Sequence, residues 1–516
     1  MVRASRRRST ADNEGALAVV ELSALDTYEA NVDYLERAPR LRPANSGQSR
    51  HLPPRVPQGE RVLDENPSPE VNFDLPQSLA ALAADEADPD ELVIQRQQEI
   101  TALAGRKTSG QVNEPSAAIH GNLVFYTGNW YAAISTDGGA TFRFVNPVTQ
   151  FTNPPGLVFC CDQVVHYIPK IDTFVWLLQY VNPQKQANAN VQRLAFATTA
   201  DAALGRWRLH DVTPASLGQP NLFLDFPDLA VGENMLYMTT NMFSGQQWAG
   251  TAVVRIPIAG IPAGNFTAQA VTSTLSSGFR VAQHCGTRAF WASHLSTSRM
   301  RVFHWDENAN SPSSNDISNI PTWADVRPYT SIAPDGRRWL NRADGRITGA
   351  TMARINNVDE LWFAWGSNRG GVNQRKHPFI QIARINSATF QLIDSINLHH
   401  NEVAFAYPAL SANQAGEVAA SYFIGGGGNA GKFPTHAVSL LTGVRKDVTV
   451  AASLFGPFRA QDPARNGFGD YLTVRRHSPN GNLFAATGYT LQTDPRNEPQ
   501  NAVPHFVIFG RAADIP

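Results

Sequence analysis

The sequence predicts an all-β chain wound as a seven-bladed β-propeller, with six blades as the alternative. Three observations predict it. Short apolar segments separated by polar turns recur along residues 111–516. Glycine and proline are frequent enough, 38 and 34 in 516 residues, to supply the many turns this needs. A starting position recurs about every 59 residues between 114 and 470, a workable length for a four-stranded blade with long loops.

The bulk properties exclude several classes. A hydrophobic content of 42% with 17% charged residues is that of a globular domain. A formal net charge of −1 gives no electrostatic footprint for nucleic acid or an anionic membrane. No apolar run reaches the length of a membrane-spanning helix. Arg6, Arg7 and Arg8 are followed by a short stretch interrupted by Glu21, which supports an export signal poorly and leaves the location open. Cys160 and Cys161 are adjacent and Cys285 stands alone, so there is no disulfide framework. The adjacent pair reads either as a vicinal disulfide or as two buried thiols, and the thiol reading is preferred.

Three regions follow in order. Residues 1–70, rich in Arg, Pro, Asn and Ser, read as an extended or disordered arm. Residues 71–110 read as a linker with one short amphipathic helix. Asp88 caps it, Pro89 opens it, Glu91 completes a capping box, and Val93, Ile100 and Leu103 share a face. Residues 111–516 read as the propeller. Its repeats start at Glu114, Asp162, Asp228, His284, Thr348, Tyr407 and Asp470. The last repeat offers "PHFVIFGR" and then the chain ends, which leaves an outer edge unpaired. A piece of the N-terminal arm is expected to fill it.

The segment "ISTDGGATF", residues 134–142, reads as strand, turn and strand. Asp137 can accept from its own turn amides, Gly138 and Gly139 supply left-handed positions, and Thr141 and Phe142 open the next strand. The pattern S-x-D-x-G-x-T-F resembles the Asp-box of the sialidase-like (BNR-repeat) β-propellers. "TTADAALGRW", residues 198–207, reads as a degenerate copy through Thr199, Asp201, Gly205 and Trp207.

In a propeller the first strand of each blade lines the central channel, so the repeat starts converge on the axis. Glu114, Asp162, Asp228 and Asp470 would bring four carboxylates together, with Gln163, His284 and Tyr407 beside them. Such oxygen-rich clusters suit calcium or magnesium, and those four carboxylates are the candidate metal ligands. They also suit an acid and base pair, for which Asp162 and Asp228 are the candidates. Trp248, between polar and glycine residues, is a candidate exposed platform for a sugar ring, whereas Trp130 is expected to pack in a blade. His284 with Cys285 lacks further ligands at zinc spacing. "FIGGGGNAGKF" has no strand–loop–helix context for phosphate. A single histidine among the blade starts speaks against the four-histidine iron site of carotenoid-cleaving propellers.

The resemblance to sialidases would imply an arginine triad, a Tyr–Glu pair and an acidic Asp. Arg-Ile-Pro occurs at 255–257, but after a third strand. Arg346 and Arg465 fall near the expected mouth, and the sequence does not assemble a third arginine, which speaks against a true sialidase. Two functions remain. The preferred one is a recognition module for a glycan or a protein partner, with a metal ion at the channel. The alternative is a glycoside hydrolase using paired carboxylates at the channel mouth.

Overall fold

The computed structural model describes residues 18–22, 28–31, 53–70, 88–100, 112–182, 190–275, 277–457, 468–492 and 502–516. Seven antiparallel sheets form a seven-bladed β-propeller. Blade 1 is β4 (Ser116–His120), β5 (Leu123–Thr127), β6 (Ala132–Ser135) and β7 (Arg143–Val145). Blade 2 is β8 (Val158–Ile168), β9 (Thr173–Val181), β10 (Asn190–Thr198) and β11 (Arg206–Val212). Blade 3 is β12 (Phe223–Val231), β13 (Met235–Ser244), β14 (Gln247–Pro257) and β15 (Ala268–Ser273).

Blade 4 has three regular strands, β16 (Arg288–Ser296), β17 (Arg299–Asp306) and β18 (Ser313–Ile317). Its innermost position is taken by irregular chain around Val281, which bridges to Trp291 on one side, while Gln283 bridges to Thr351 on the other. Blade 5 is β19 (Ile347–Ile355), β20 (Val358–Ser367), β21 (Phe379–Asn386) and β22 (Leu392–Leu398). Blade 6 is β23 (Ala404–Ala412), β24 (Val418–Gly426), β25 (Lys432–Leu440) and β26 (Lys446–Ala452). Blade 7 is β27 (Val474–Arg476), β28 (Phe484–Leu491) and β29 (Ala502–Arg511).

The edge of blade 7 is closed from the N-terminal side, as expected, but by a different segment. Residues Leu92–Glu99 form strand β3 and pair antiparallel with β29, Leu92 opposite Arg511 and Glu99 opposite His505. The helix expected over 88–105 is therefore corrected to a strand across 92–99. The turn at its start does form, with the Glu91 amide donating to the Asp88 carbonyl. Beyond it, residues 94–99 alternate half-buried and exposed, and the edge left open by β29 outweighs helical propensity. Two further N-terminal strands, β1 (Ala18–Leu22) and β2 (Tyr28–Asn31), extend blades 3 and 2 at their outer edges.

The one α-helix among the described residues, α1 (Thr199–Leu204), lies in the 198–207 segment. Thr198 caps it by accepting from the Asp201 amide, and Gly205 ends it in the left-handed region. This segment is thus a helical connection rather than a copy of the 134–142 hairpin. Trp207 still packs inward, on Trp176 and Phe125.

At 134–142 the hairpin bonds as its residues require. The Thr141 amide and hydroxyl both donate to Asp137, and the Gly139 amide donates to Ser135 Oγ at 2.9 Å. The two Thr141 donors, then Ser135 Oγ, hold the Asp137 carboxyl down at about 2. Gly139 is left-handed at φ 85°, and a Cβ there would meet the Phe506 ring at 2.6 Å. The apolar core lies largely between neighbouring blades. Phe125, Trp176 and Trp207 fill the space between blades 1 and 2, while Phe423, Phe468 and Tyr489 do so between blades 6 and 7. No helix among the described residues is long and apolar enough to cross a membrane.

Candidate active site at the channel mouth

Several inner strands bend at one level near their N-terminal ends. Glu114 (φ 51°), Asp162 (φ 33°), Phe226 (φ 56°) and Tyr407 (φ 59°) all adopt left-handed backbone, which costs an L-residue about 1 kcal/mol or more. In blades 2, 3 and 6 the ladder breaks register at this point. Pro115, Pro227 and Pro408 follow the bend in blades 1, 3 and 6. The bends re-aim one side chain per blade toward the axis. The residue of blade 3 at this level is therefore Phe226, with Asp225 before it, and Asp228 lies one step deeper.

Glu114, Asp162, Asp225 and Asp470 act on one another at the mouth, and arginines thread between them. Arg342 pairs with Asp470 and lies 3.8 Å from Glu114. Arg346 reaches Asp470 at 3.3 Å and Asp344 at 2.9 Å. One step down, Arg280 and Arg475 lie 3.3 and 3.7 Å from Asp228. Arg280 and Arg346 both stack on the Phe226 ring, 4.5 and 4.1 Å from its centroid, so two like charges share one aromatic partner. Tyr471, just before β27 of blade 7, packs on Phe226 of blade 3, with ring centroids 5.6 Å apart. A small cavity of about 20 Å³, room for about one water, continues inward past Asp228, Arg280, Thr348, Tyr471 and Arg475.

Burial and mutual repulsion separate the carboxyl groups chemically. Glu114 is pushed well above the usual carboxylate range by burial first, then by Asp470 and Asp162, with Arg342 and Asn129 opposing. Asp162 rises to about 7, again by burial first and then by Asp225 and Asp470. The Phe226 amide and Arg342 pull it down, and lose. Burial, then Asp162 and Glu114, push the Tyr471 phenol upward. The mouth therefore sets Glu114 and Asp162, both pushed toward holding their protons, beside the arginine-paired Asp470.

The residues singled out from sequence divide as follows. Glu114, Asp162, Tyr407 and Asp470 meet at the mouth, and Asp228 lies just below. Gln163 does not join them. It is fully buried, donates to the Gly128 and Tyr131 carbonyls and accepts from Trp176 Nε1, tying blades 1 and 2 together. His284 lies deeper, where its Nε2 meets Ser411 Oγ at 3.1 Å, and burial then nearby Arg476 hold it neutral. It is displaced because blade 4 starts its inner segment earlier, at Arg280. Trp248 sits half-buried in β14 beside Phe243, a third-strand position away from the channel. Arg465 lies outside the described residues. Cys160 and Cys161, read as two thiols, are joined in a disulfide.

Sequence reading missed Asp225, Arg280, Arg342, Tyr471 and Arg475. Arg342 and Arg346 come from the long connection between blades 4 and 5, "NRADGR", which has no counterpart in the other repeats. Four arginines thus gather, of which only Arg346 had been named. Their presence also changes the metal question. Arg342 stands between Glu114 and Asp470, and among the described residues no group of three or more His, Cys, Asp or Glu converges as a metal site. The donor set does not fit calcium or magnesium, because guanidinium groups already carry the compensating charge.

No protein-family model matches the chain, and no curated protein matches it in sequence. Solved structures similar to it are propellers that include glycoside hydrolases. The NanB sialidase of Streptococcus pneumoniae is 9% identical with a TM-score of 0.36, over 65% of this chain and 67% of that one. The α-L-arabinanase of Penicillium chrysogenum is 10% identical with a TM-score of 0.35, over 77% and 92%. The leech intramolecular trans-sialidase is 10% identical with a TM-score of 0.34, over 81% and 70%.

Proposed function

We propose that the chain is a glycoside hydrolase acting at the channel mouth, with Asp162 as the general acid. The observation that carries this is the pairing of opposite environments within one site. Asp162 is held near neutrality by burial and by Asp225 and Asp470, whereas Asp470 is held by two guanidinium groups. A carboxyl that still carries its proton at pH 7 can deliver it to a leaving glycosidic oxygen. Carboxylates facing it offset the positive charge that develops on the sugar ring. Arg342 at the mouth, and Arg280 one step below it, supply guanidinium donors for sugar hydroxyl or carboxylate oxygens.

A screen of chromogenic glycosides beside a glycan array tests this, with Asp162→Asn and Asp470→Asn as controls. Hydrolysis that falls at least 100-fold in Asp162→Asn supports the assignment. Glycan binding without any hydrolysis would instead support the recognition module that the sequence favoured. That second reading has its own observation, since Arg342 spans Glu114 and Asp470 across the mouth.

A further inference from the structure

Blade 2 differs from the other bent blades by one residue. In blade 3, three steps from Asp225 to Asp228 face two steps on β13, so a single extra residue bulges out. Blade 6 does the same between Ala406 and Ala409. In blade 2, four steps from Phe159 to Gln163 face only two on β9, from Tyr180 to Leu178. Two bulges follow each other, and the additional one falls at Cys160, which is joined to Cys161.

Covalent geometry accounts for this. Adjacent strand residues point to opposite faces, so their sulfurs cannot meet while the ladder is regular. The bonded pair keeps the 3.8 Å Cα spacing of any trans peptide, so the bond requires the two side chains to turn to one face. The ring must therefore kink the strand. Immediately after the kink, Asp162 turns left-handed, with its amide held by Asn129 Oδ1 at 3.1 Å. Opposite Cys161 stands Gln179, whose amide reaches Asp225 at 3.3 Å. The disulfide thus adjoins Asp162 in the chain and pairs, across the ladder, with the residue that bonds Asp225.

We infer that the Cys160–Cys161 disulfide is a redox-sensitive positioning device that sets how far Asp162 reaches into the channel mouth. While the ring is closed, the extra bulge is locked. A dithiol such as dithiothreitol would open it, passing two electrons and two protons to the sulfurs and closing its own disulfide. The two thiols can then point to opposite faces, the ladder can regularise, and Asp162 withdraws from Asp225, Asp470, Glu114, Arg342 and Tyr471. A shift of one residue in pairing reverses which face a side chain takes, so the effect on Asp162 is large.

Thermal denaturation tests this without a substrate, and so stands apart from the hydrolase reading. Asp162→Asn is introduced into the natural chain and into Cys160→Ser/Cys161→Ser, with Cys285→Ser in both to remove the third thiol. At pH 8 the Asn substitution is expected to raise the melting temperature by about 2 °C with the disulfide and by less than half of that without it. Equal gains in the two backgrounds would overturn the inference. Should the serine variant not fold, Cys160→Ala/Cys161→Ala, which suits these buried positions better, is compared in the same way. Two alkylatable thiols at 160 and 161 in protein purified without reductant would also overturn it.

Discussion

Replacing Asp162 by Asn should make the protein more stable, but only where the pH would otherwise charge the aspartate. In the unfolded chain this carboxyl ionises near its ordinary 3.8, whereas in the fold it holds its proton to about 7. Between those values the native state binds more protons than the unfolded state, so stability falls as pH rises. The loss is absent below about pH 4 and complete above about pH 7. At 1.36 kcal/mol per pH unit the interval corresponds to about 4 kcal/mol, and partial contact with solvent reduces this to roughly 2 kcal/mol. In a chain of 516 residues that is a rise of about 2 °C in melting temperature for Asp162→Asn at pH 8. Calorimetry at pH 4, 6 and 8 should show a gain that grows with pH. A gain independent of pH, or a loss at pH 8, would refute the assignment of a strained, proton-holding carboxyl. A gain in stability alongside a loss of activity is what a functional residue shows when its environment is tuned for chemistry.

Further outcomes follow from the same structure. Buried His166 and His505 stay neutral to about pH 4, and His294 and His436 to about pH 3, chiefly through desolvation. Their folded values lie below the unfolded 6.5, so their contribution is intact above pH 6.5 and is lost as pH falls toward 4. At pH 5 each costs about 2 kcal/mol, and urea midpoints at pH 7 and 5 should separate accordingly. Asp137→Ala removes the bonds from Thr141 and should destabilise by about 1–2 kcal/mol in urea unfolding while leaving any glycosidase rate unchanged. Ile94→Lys, in the strand that closes blade 7, should lower the melting temperature and promote association seen by light scattering, because it loosens a covered edge. Calcium or EDTA at millimolar concentration should leave the melting temperature unaltered. A calcium-dependent rise would show that a cation competes with Arg342 after all.

The propeller was legible because its repeat is carried by local signals. Apolar runs of strand length, glycine-rich turns and the bonding pattern of Ser135, Asp137 and Thr141 each act within a few residues. The carboxylates were legible for the same reason, since Glu114, Asp162 and Asp470 open their repeats. Counting repeat starts at a fixed spacing fails where strands bend. In "LDFPD" the left-handed Phe226 takes the mouth level and moves Asp228 down, and in blade 4 the early Arg280 moves His284 out. Arg342 and Arg346 were not legible as a pair with Asp470, because a connection belonging to no blade brings them across the axis. Leu92–Glu99 illustrates the opposite failure. Its capping signals are genuine and do form a turn, but the partner that makes it a strand lies some 400 residues later, in β29.

The pH dependence of hydrolysis tests the central claim most directly. For any glycoside the protein cleaves, kcat/KM should fall as pH rises through about 7, where Asp162 loses its proton, and Asp162→Asn should abolish that limb together with at least 99% of the rate. A variant that retained both the rate and the fall near pH 7 would contradict the account, because the proton would then come from elsewhere.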